Sequence, residues 1–355
     1  MSLSALFAQR IGETGPISLA DYMADCLLHP EFGYYATRDP FGAAGDFITA
    51  PEISQMFGEL IGLALAQSWL DQGAPSRFTL AELGPGRGTL MRDLLRATRG
   101  IAGFHAAADL VLVEPSPKLR AVQGETLANH PPRWLNSASD LPDAPLFLVA
   151  NEVFDALPIR QFQRAEQGWN ERCVALRDGM LTLGLAPAAP YDMLAHRVGD
   201  TKPGDLVELC APAHAMAADI AAPIARHGGA ALIIDYGDWR SLGDTLQALH
   251  AHMPVPILQN PGHCDLTAHV DFEPLANAAR NAGCAHSRLT PQGVFLERLG
   301  ITERAKALAH SATPEATEAL ISAHRRLTHP AEMGNLFKVL GLFADSAPPP
   351  PGLER

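Results

Sequence analysis

Several features that would place this chain in a common class are absent from its sequence. Its 355 residues include 27 Lys and Arg against 39 Asp and Glu, which gives a net charge of −12. Nucleic-acid-binding proteins usually carry a basic excess, so the charge balance argues against that class. The five cysteines are far apart and form no Cys-x-x-Cys pair. We therefore expect reduced thiols in a reducing compartment, without a zinc ribbon or a disulfide framework.

Long apolar segments and targeting signals are also lacking. The N-terminus, MSLSALFAQRIGETG, has neither a basic start nor an apolar run of signal length, and it has too little Arg for a mitochondrial presequence. The most apolar helical window, residues 60–70, is interrupted by Gln67 and Ser68 and is too short to span a bilayer. These absences favour a cytoplasmic protein without membrane insertion.

What is present is ample material for a folded core. Hydrophobic residues make up 47% of the chain and charged residues 19%, which excludes disorder for the bulk of it. Apolar runs at residues 78–83, 109–114, 145–150 and 230–235 alternate with helical patterns, and a weaker run lies near residues 133–136. This alternation predicts a parallel sheet with right-handed crossovers in an α/β fold.

The remaining patterns set our domain boundaries. We expect one helix over residues 49–71, a hairpin turn at Asp178-Gly179, a loop-rich stretch over 238–270 and a closing edge strand over 335–344. The resulting division is 1–75 for a helical N-terminal cap and lid, 76–158 for the first part of the core, 159–211 for an antiparallel insertion, 212–345 for the rest of the core with helical insertions, and 346–355 for a disordered tail.

The sharpest local signal is the segment Glu82-Leu83-Gly84-Pro85-Gly86-Arg87-Gly88, which follows a strand and precedes a helix. This is where nucleotide-type ligands meet an open α/β sheet. The spacing is Gly-x-Gly-x-Gly, with Thr89 where a dinucleotide fingerprint has its third glycine, and no Gly-Lys-Ser/Thr of a phosphate loop follows. The glycines alone fit a ligand-binding turn and a ligand-free turn equally well.

Two acids near this turn favour a particular ligand. Glu114 ends the second strand, where a carboxylate can accept both hydroxyl groups of a ribose. Glu82 would repel a pyrophosphate but attract a sulfonium and an ammonium group. Either acid taken alone is more often a solvated residue at a strand end. Together with the glycine turn, they are similar to the S-adenosylmethionine site of a class I methyltransferase.

Polar side chains also follow the third strand. Asn151, Glu152 and Asp155 lie where a carboxyl edge of the sheet is predicted, next to the glycine turn. They could hold a substrate nitrogen, or they could simply favour the start of a helix through its dipole. We favour the first interpretation and expect Glu152 and Asp155 to act in catalysis.

Three further segments carry candidate residues. Residues 40–54, with Asp46, Phe47, Thr49 and Glu52, are predicted to form a lid over a cofactor, and a simple N-cap within 45–54 is the alternative. Asp235-Tyr236 follows the fourth strand, where the alternative is another strand-to-helix turn. Residues 262–272 include His269 but show no metal-ligand spacing, so we interpret them as a polar loop on the active face.

Longer motifs resemble a known family. GDFITAPEISQMFGELIG, ELGPGRGTLMRDLLR, NEVFDALPIRQF, IIDYG, GDTLQA and PGHCDLTAHVDF occur in this order in the MidA family, whose mitochondrial members are protein arginine methyltransferases that assist assembly of respiratory complex I. The resemblance runs from about residue 15 to 343. It implies a class I, Rossmann-like methyltransferase sheet of seven strands, with a helical N-terminal cap and inserted elements.

The resemblance also implies roles for individual residues. From the resemblance and the residue patterns together, we expect cofactor binding by Glu82, Gly84, Pro85, Gly86, Gly88, Glu114, Asn151, Thr49 and Glu52, and substrate binding by Asp46, Phe47, Asp235, Tyr236 and His269.

The predicted function is therefore methyl transfer from S-adenosylmethionine to an arginine of a partner protein, which could be a complex I subunit. A non-catalytic, cofactor-binding assembly chaperone and a nicotinamide-dependent oxidoreductase are the alternatives. No metal is expected, and the sequence leaves the oligomeric state open.

Overall fold

The computed structural model describes residues 2–37, 49–250 and 253–355. The chain forms two compact units. The core unit comprises residues 48–153, 214–239 and 272–355, and the accessory unit comprises residues 1–47, 154–213 and 240–271.

The helices are α1 (Leu3–Thr14), α2 (Leu19–Leu28), α3 (Tyr34–Thr37), α4 (Ala50–Ile53), α5 (Gln55–Asp71), α6 (Thr89–Thr98), α7 (Phe104–Ala107), α8 (Pro117–Thr126), α9 (Ala211–His227), α10 (Phe272–Asn281), α11 (Gln292–Arg298), α12 (Ile301–Ala309), α13 (Pro314–Thr328) and α14 (Met333–Leu336). The strands are β1 (Ile17–Ser18), β2 (Phe78–Leu83), β3 (Ala108–Val113), β4 (Arg133–Leu135), β5 (Leu146–Asn151), β6 (Arg160–Arg164), β7 (Trp169–Arg177), β8 (Met180–Leu185), β9 (Leu206–Leu209), β10 (Gly229–Asp238), β11 (Gln247–His250), β12 (Met253–Val255), β13 (Asp265–Thr267), β14 (Val270–Asp271), β15 (Cys284–His286), β16 (Thr290–Pro291) and β17 (Phe337–Ala344).

A twisted sheet dominates the core unit, with strands in the order β15-β17-β10-β5-β2-β3-β4. The strands from β4 to β10 are parallel, while β17 runs antiparallel to both β10 and β15. Every residue of β2 and β5 is buried, as expected for parallel strands covered on both faces by helices. The predicted α/β fold with a mostly parallel sheet is confirmed.

The strand register aligns the functional ends. Leu83 of β2 lies opposite Val113 of β3 and Ala150 of β5, and Asn151 lies opposite Ile234 of β10. Because parallel strands end at the same edge, the residues that follow β2 and β3 and end β5 lie side by side there.

The accessory unit contains two smaller antiparallel sheets and the first helices. One sheet has the order β1-β7-β6-β9 with β8 paired to β7, and the other has the order β12-β11-β13. The hairpin between β7 and β8 turns at Asp178 and Gly179, both with positive φ, as the sequence predicts. Apolar side chains of α1 and α2, including Phe7 and Tyr22, form the core of this unit.

Four expectations about elements were wrong. The helix predicted over residues 49–71 is divided, because Ser54 is extended (φ −159°) and its hydroxyl caps α5 by accepting from the Met56 amide at 3.2 Å. The loop-rich stretch 238–270 contains the strands β11, β12 and β13. The strand β17 is an inner strand, since β15 covers its outer side.

The fourth error concerns the C-terminal residues, which we expected to be disordered. Leu353 is buried and packs on Gly341, where a Cβ atom would lie 2.6 Å from Leu353 Cδ1. The Glu354 carbonyl accepts a hydrogen bond from the Arg288 amide at 2.7 Å. A proline-rich segment loses little backbone entropy on ordering, so these few contacts are enough to hold it.

Candidate active site

The turn after β2 has a backbone that favours glycine. Gly84, Gly86 and Gly88 all have positive φ, at 56°, 51° and 80°, which side chains with a Cβ rarely adopt. A Cβ at Gly84 would also lie 2.8 Å from Val153 Cγ2. Gly88 is the N-cap of α6. The turn therefore leaves backbone space and helix amide groups at the carboxyl edge of the sheet, as a small ligand needs.

Glu82 is a buried acid within this turn region. Its side chain is 3% exposed, and its Oε2 has no hydrogen-bond partner among the described residues. Burial raises the pKa of Glu82 to about 8, although the Met91 backbone acts in the opposite direction. An unpaired buried carboxyl group is costly, so a cationic or hydroxyl-bearing ligand beside it would be strongly favoured.

Glu114 directly follows β3 and is also buried. Its Oε1 accepts a hydrogen bond from the Ser116 amide at 2.8 Å, and Oε2 lies 3.5 Å from Gln123 Nε2. Burial raises the pKa of Glu114, and the Ser116 amide, the Gln123 side chain and the Arg120 charge limit that rise. The carboxyl group is thus held in place and keeps lone pairs for two hydroxyl groups.

The sequence interpretation missed Gln123 and Trp134. Gln123 is fully buried on α8, and its Nε2 donates to the Gly86 carbonyl at 2.8 Å. Trp134 Nε1, from β4, donates to Gln123 Oε1 at 2.8 Å. A polar residue on the inner face of a predicted helix was the only signal in the sequence.

Asn151 is the last residue of β5, and Glu152 follows it. Asn151 Oδ1 is buried without a hydrogen-bond partner among the described residues, and its Nδ2 donates to Glu152 Oε1 at 3.1 Å. The same Glu152 oxygen accepts from the Ala50 amide at the start of α4, also at 3.1 Å. Glu152 has a φ of +54°, a strained backbone for a non-glycine residue. Such strain is concentrated at functional sites.

Glu52 and Asp235 connect neighbouring elements of the core unit. Glu52 Oε1 accepts a hydrogen bond from the Thr89 hydroxyl at 2.7 Å, which joins α4 to the start of α6. Asp235 is fully buried, and its carboxylate accepts from the amides of Val153 and Tyr236 at 3.2 and 2.9 Å. These contacts favour a supporting role for Asp235. Tyr236 stacks edge-on against Phe337.

Asp155 and His269 lie in the accessory unit. The Asp155 carbonyl accepts a hydrogen bond from the Ala268 amide at 2.9 Å, and the neighbouring His269 amide donates to the Thr245 hydroxyl at 2.8 Å. Burial raises the pKa of Tyr35, and the charges of Asp265 and Asp155 add to that rise. The structure therefore brings Asp155 near a phenol and a second carboxylate.

The remaining candidates are less informative. Thr49 is the N-cap of α4 but makes no capping bond with its side chain. Asp46, Phe47 and most of the predicted lid lie outside the described residues. Within the described ranges, no cluster of three or more His, Cys, Asp or Glu side chains could hold a metal ion, and no helix there is long and apolar enough to cross a membrane.

The residues at the sheet edge fit S-adenosylmethionine. Glu82 Oε2 and Asn151 Oδ1, which have no hydrogen-bond partner in the described part of the chain, suit its cationic and hydroxyl groups, Glu114 suits its ribose, and the glycine turn leaves room for its atoms. Fold and site together define a class I S-adenosylmethionine-dependent methyltransferase.

Comparison with known proteins identifies the family. A family model described as "Putative S-adenosyl-L-methionine-dependent methyltransferase" matches residues 60–290. The mitochondrial protein arginine methyltransferase NDUFAF7 of Danio rerio is 38% identical, across 95% of this chain and 85% of that protein. Its Homo sapiens counterpart is 35% identical, across 94% of this chain and 81% of its own length.

A solved structure gives the same answer. A "likely methyl transferase" from Burkholderia thailandensis, crystallised with S-adenosyl-homocysteine, is 30% identical in sequence and superposes with a TM-score of 0.84. The match covers 99% of this chain and 92% of the other. The chain belongs to the MidA family of S-adenosylmethionine-dependent methyltransferases.

Proposed function

We propose that this methyltransferase modifies an arginine side chain of a partner protein. The observation that carries the proposal is Glu152, a carboxylate held at the carboxyl edge of the sheet by a strained backbone and two hydrogen bonds. The names of the curated relatives, protein arginine methyltransferases, support the same acceptor.

The chemistry of arginine explains why acids would be needed. S-Adenosylmethionine supplies a methyl group on a sulfonium, which is already a good leaving group. The guanidinium has a pKa far above neutral, so it is protonated and a poor nucleophile. A carboxylate that accepts two of its N–H groups holds its plane and draws positive charge away from the attacking nitrogen. The protein therefore acts mainly by orienting the acceptor and excluding water.

Each candidate acid would have its own part in this. Glu152 has one oxygen held by the Ala50 amide and the Asn151 side chain, which sets the direction of the carboxylate before an acceptor binds. Asp155 lies in a buried, acidic surrounding with Tyr35 and Asp265, which favours a cation.

The partner class follows from charge and from the family. A net charge of −12 attracts a basic protein segment. From the family resemblance, we propose a subunit of respiratory complex I as the partner.

The test measures cofactor binding and methyl transfer in parallel. Labelled S-adenosylmethionine is incubated with the protein and a lysate, and methylated residues are located by mass spectrometry. Loss of one partner of a buried charge pair commonly costs about 2–5 kcal/mol, so Glu152→Gln and Asp155→Asn should each slow transfer by roughly 30-fold or more. Calorimetry should show a much smaller change in cofactor affinity, because the glycine turn and Glu114 remain.

The control variant is Glu125→Gln, which alters an exposed acid on α8 and should leave both measurements unchanged. Transfer at the wild-type rate by both site variants would contradict the roles given to the two acids. Cofactor binding without methylation of any protein arginine would instead favour an assembly chaperone.

A further inference from the structure

Gln123 joins the two halves of the cofactor site. Its side-chain amide contacts the Gly86 carbonyl of the glycine turn at 2.8 Å and lies 3.5 Å from the Glu114 carboxylate. The glycine turn follows β2 and Glu114 follows β3, so this amide from α8 connects the ends of two neighbouring strands. It is fully buried.

The direction of this amide is settled by its partners. Trp134 Nε1 can only donate a hydrogen bond, so Gln123 must present its oxygen to the indole. The Gly86 carbonyl can only accept, so it must receive the Gln123 NH₂ group. The two bonds, both 2.8 Å, therefore exclude the flipped amide.

A fixed amide matters because the turn could otherwise move. Gly86 has a φ of +51°, and glycine exchanges between left-handed and right-handed conformations at little cost. A hydrogen bond to its carbonyl fixes the orientation of the peptide plane that joins Gly86 to Arg87. The amide also donates toward Glu114, which favours the ionised form of that carboxylate.

We propose that Gln123, oriented by Trp134, is a positioning residue that holds the glycine turn and the ribose-binding carboxylate Glu114 ready for the cofactor. The inference depends on the cofactor site and not on the identity of the methyl acceptor. It assigns a function in ligand binding to a residue that would otherwise be regarded as part of the core.

The first test compares two buried glutamines of the core unit. Gln292 is also fully buried and donates to a backbone carbonyl, that of Leu327, at 2.9 Å. Both Gln123→Leu and Gln292→Leu should lower the melting temperature, because each removes a hydrogen bond to a backbone carbonyl, that of Gly86 being partly buried and that of Leu327 buried. Calorimetric titration with S-adenosyl-homocysteine should show at least about tenfold weaker binding for Gln123→Leu, against less than about twofold for Gln292→Leu.

The second test asks whether Gln123 acts through the ribose site. Wild type and Gln123→Leu are each titrated with S-adenosyl-homocysteine and with its 2′-deoxy analogue. If Gln123 positions Glu114, the wild type should lose about tenfold in affinity when the hydroxyl is removed, and the variant should lose clearly less. A purely structural role would leave this ratio the same in both proteins.

Two more variants keep the test decisive. Gln123→Glu retains the acceptor for Trp134 but loses the donor to Gly86, so it should bind S-adenosyl-homocysteine at least as weakly as Gln123→Leu does. If Gln123→Leu does not fold, Gln123→Glu takes its place in both tests. Trp134→Phe removes the orienting N–H and should weaken binding by a smaller factor, about threefold. When Trp134→Phe is combined with Gln123→Leu, the double variant should bind no more weakly than Gln123→Leu alone. Wild-type affinity in the Gln123 variants, or an equal loss in Gln292→Leu, would overturn the proposal.

Discussion

At the scale of single residues, the site departs from ordinary preferences. Glu82 is a buried carboxyl group with one oxygen that has no partner among the residues the structure describes, and Glu152 is a non-glycine residue with left-handed backbone. Each arrangement costs stability, and each lies at the carboxyl edge of the sheet. Departures of this kind are expected where a protein binds or converts a ligand.

Glu82 should make stability depend on pH. Its pKa is about 8 in the folded protein against an ordinary 4.5, so between these values the folded chain holds a proton that the unfolded chain releases. The contribution of Glu82 to the free energy of unfolding is therefore highest at the acidic end, and it falls as the pH rises from about 4.5 to 8. The Glu82→Gln side chain stays neutral at every pH. The melting temperature of this variant minus that of the wild type should therefore increase by at least about 2 °C as the pH rises from 5 to 8.

Scanning calorimetry without cofactor provides the measurement for Glu82. Glu125→Gln serves as its control, because it also replaces an acid by its amide, at an exposed position of α8. A constant difference for Glu82→Gln across the same range would show that the carboxyl group is already ionised in the folded protein.

At the scale of elements, close packing of α5 on α6 supports the glycine turn. Gly58 and Gly62 of α5 face Leu90 and Leu94 of α6, and a Cβ at Gly62 would lie 2.9 Å from the Leu94 Cα. The helix α6 begins at Gly88, so its position sets where the turn ends. Small residues on α5 are thus required by backbone contact rather than by flexibility.

Gly62→Ala should therefore destabilise the protein, by about 1–3 kcal/mol, because the added methyl group overpacks a backbone contact. The matched control is Gly12→Ala in α1, where a Cβ would meet nothing within 4 Å. That substitution should stabilise by about 0.5–1 kcal/mol, since alanine is the better helix former. Urea unfolding measures both. A neutral or stabilising Gly62→Ala would mean that the two helices separate at little cost.

The accessory unit contains a network of hydrogen bonds between its elements that the sequence did not predict. Glu208 of β9 is buried and accepts hydrogen bonds from Gln161 of β6 and from both the amide and the hydroxyl of Thr245. The Thr245 hydroxyl in turn accepts from the His269 amide. The motifs around Thr245 and His269 are thereby joined within this unit, which accounts for their polar composition.

At the scale of the whole molecule, the chain alternates between two units, and the residues proposed for the cofactor site belong to the core unit. Glu82, Glu114, Gln123 and Asn151 lie there, whereas Asp155 belongs to the accessory unit. Glu152 and Asp155, only three residues apart, are thus assigned to different units.

Hydrogen exchange with and without S-adenosyl-homocysteine should map this division. At 100 times its dissociation constant the ligand stabilises the folded state by about 2.7 kcal/mol. Local protection should be largest over residues 82–88 and 114–123 of the core unit. The hairpin of residues 176–181, in the accessory unit, is the internal reference and should change least. Protection across 40–54 would support the predicted lid, and unchanged exchange there would contradict it.

Much of the core could be predicted from the sequence. The strands at 78–83 and 145–150, the glycine turn and Glu114 follow from hydrophobic period and from short-range geometry, which neighbouring residues decide. The division at Ser54 and the inner place of β17 could not be predicted, because capping competes with helix propensity and strand order depends on distant segments.

By itself, the sequence determined the α/β class and the kind of cofactor and predicted a site at the carboxyl edge of the sheet, since each depends on residue types at fixed local spacing. Only the tertiary structure decided the state of those residues: that Glu82 is buried, that Glu152 is held by Ala50, and that Gln123 connects the glycine turn to Glu114. Burial and hydrogen bonding join segments that lie far apart along the chain, and no local pattern records which segments will meet.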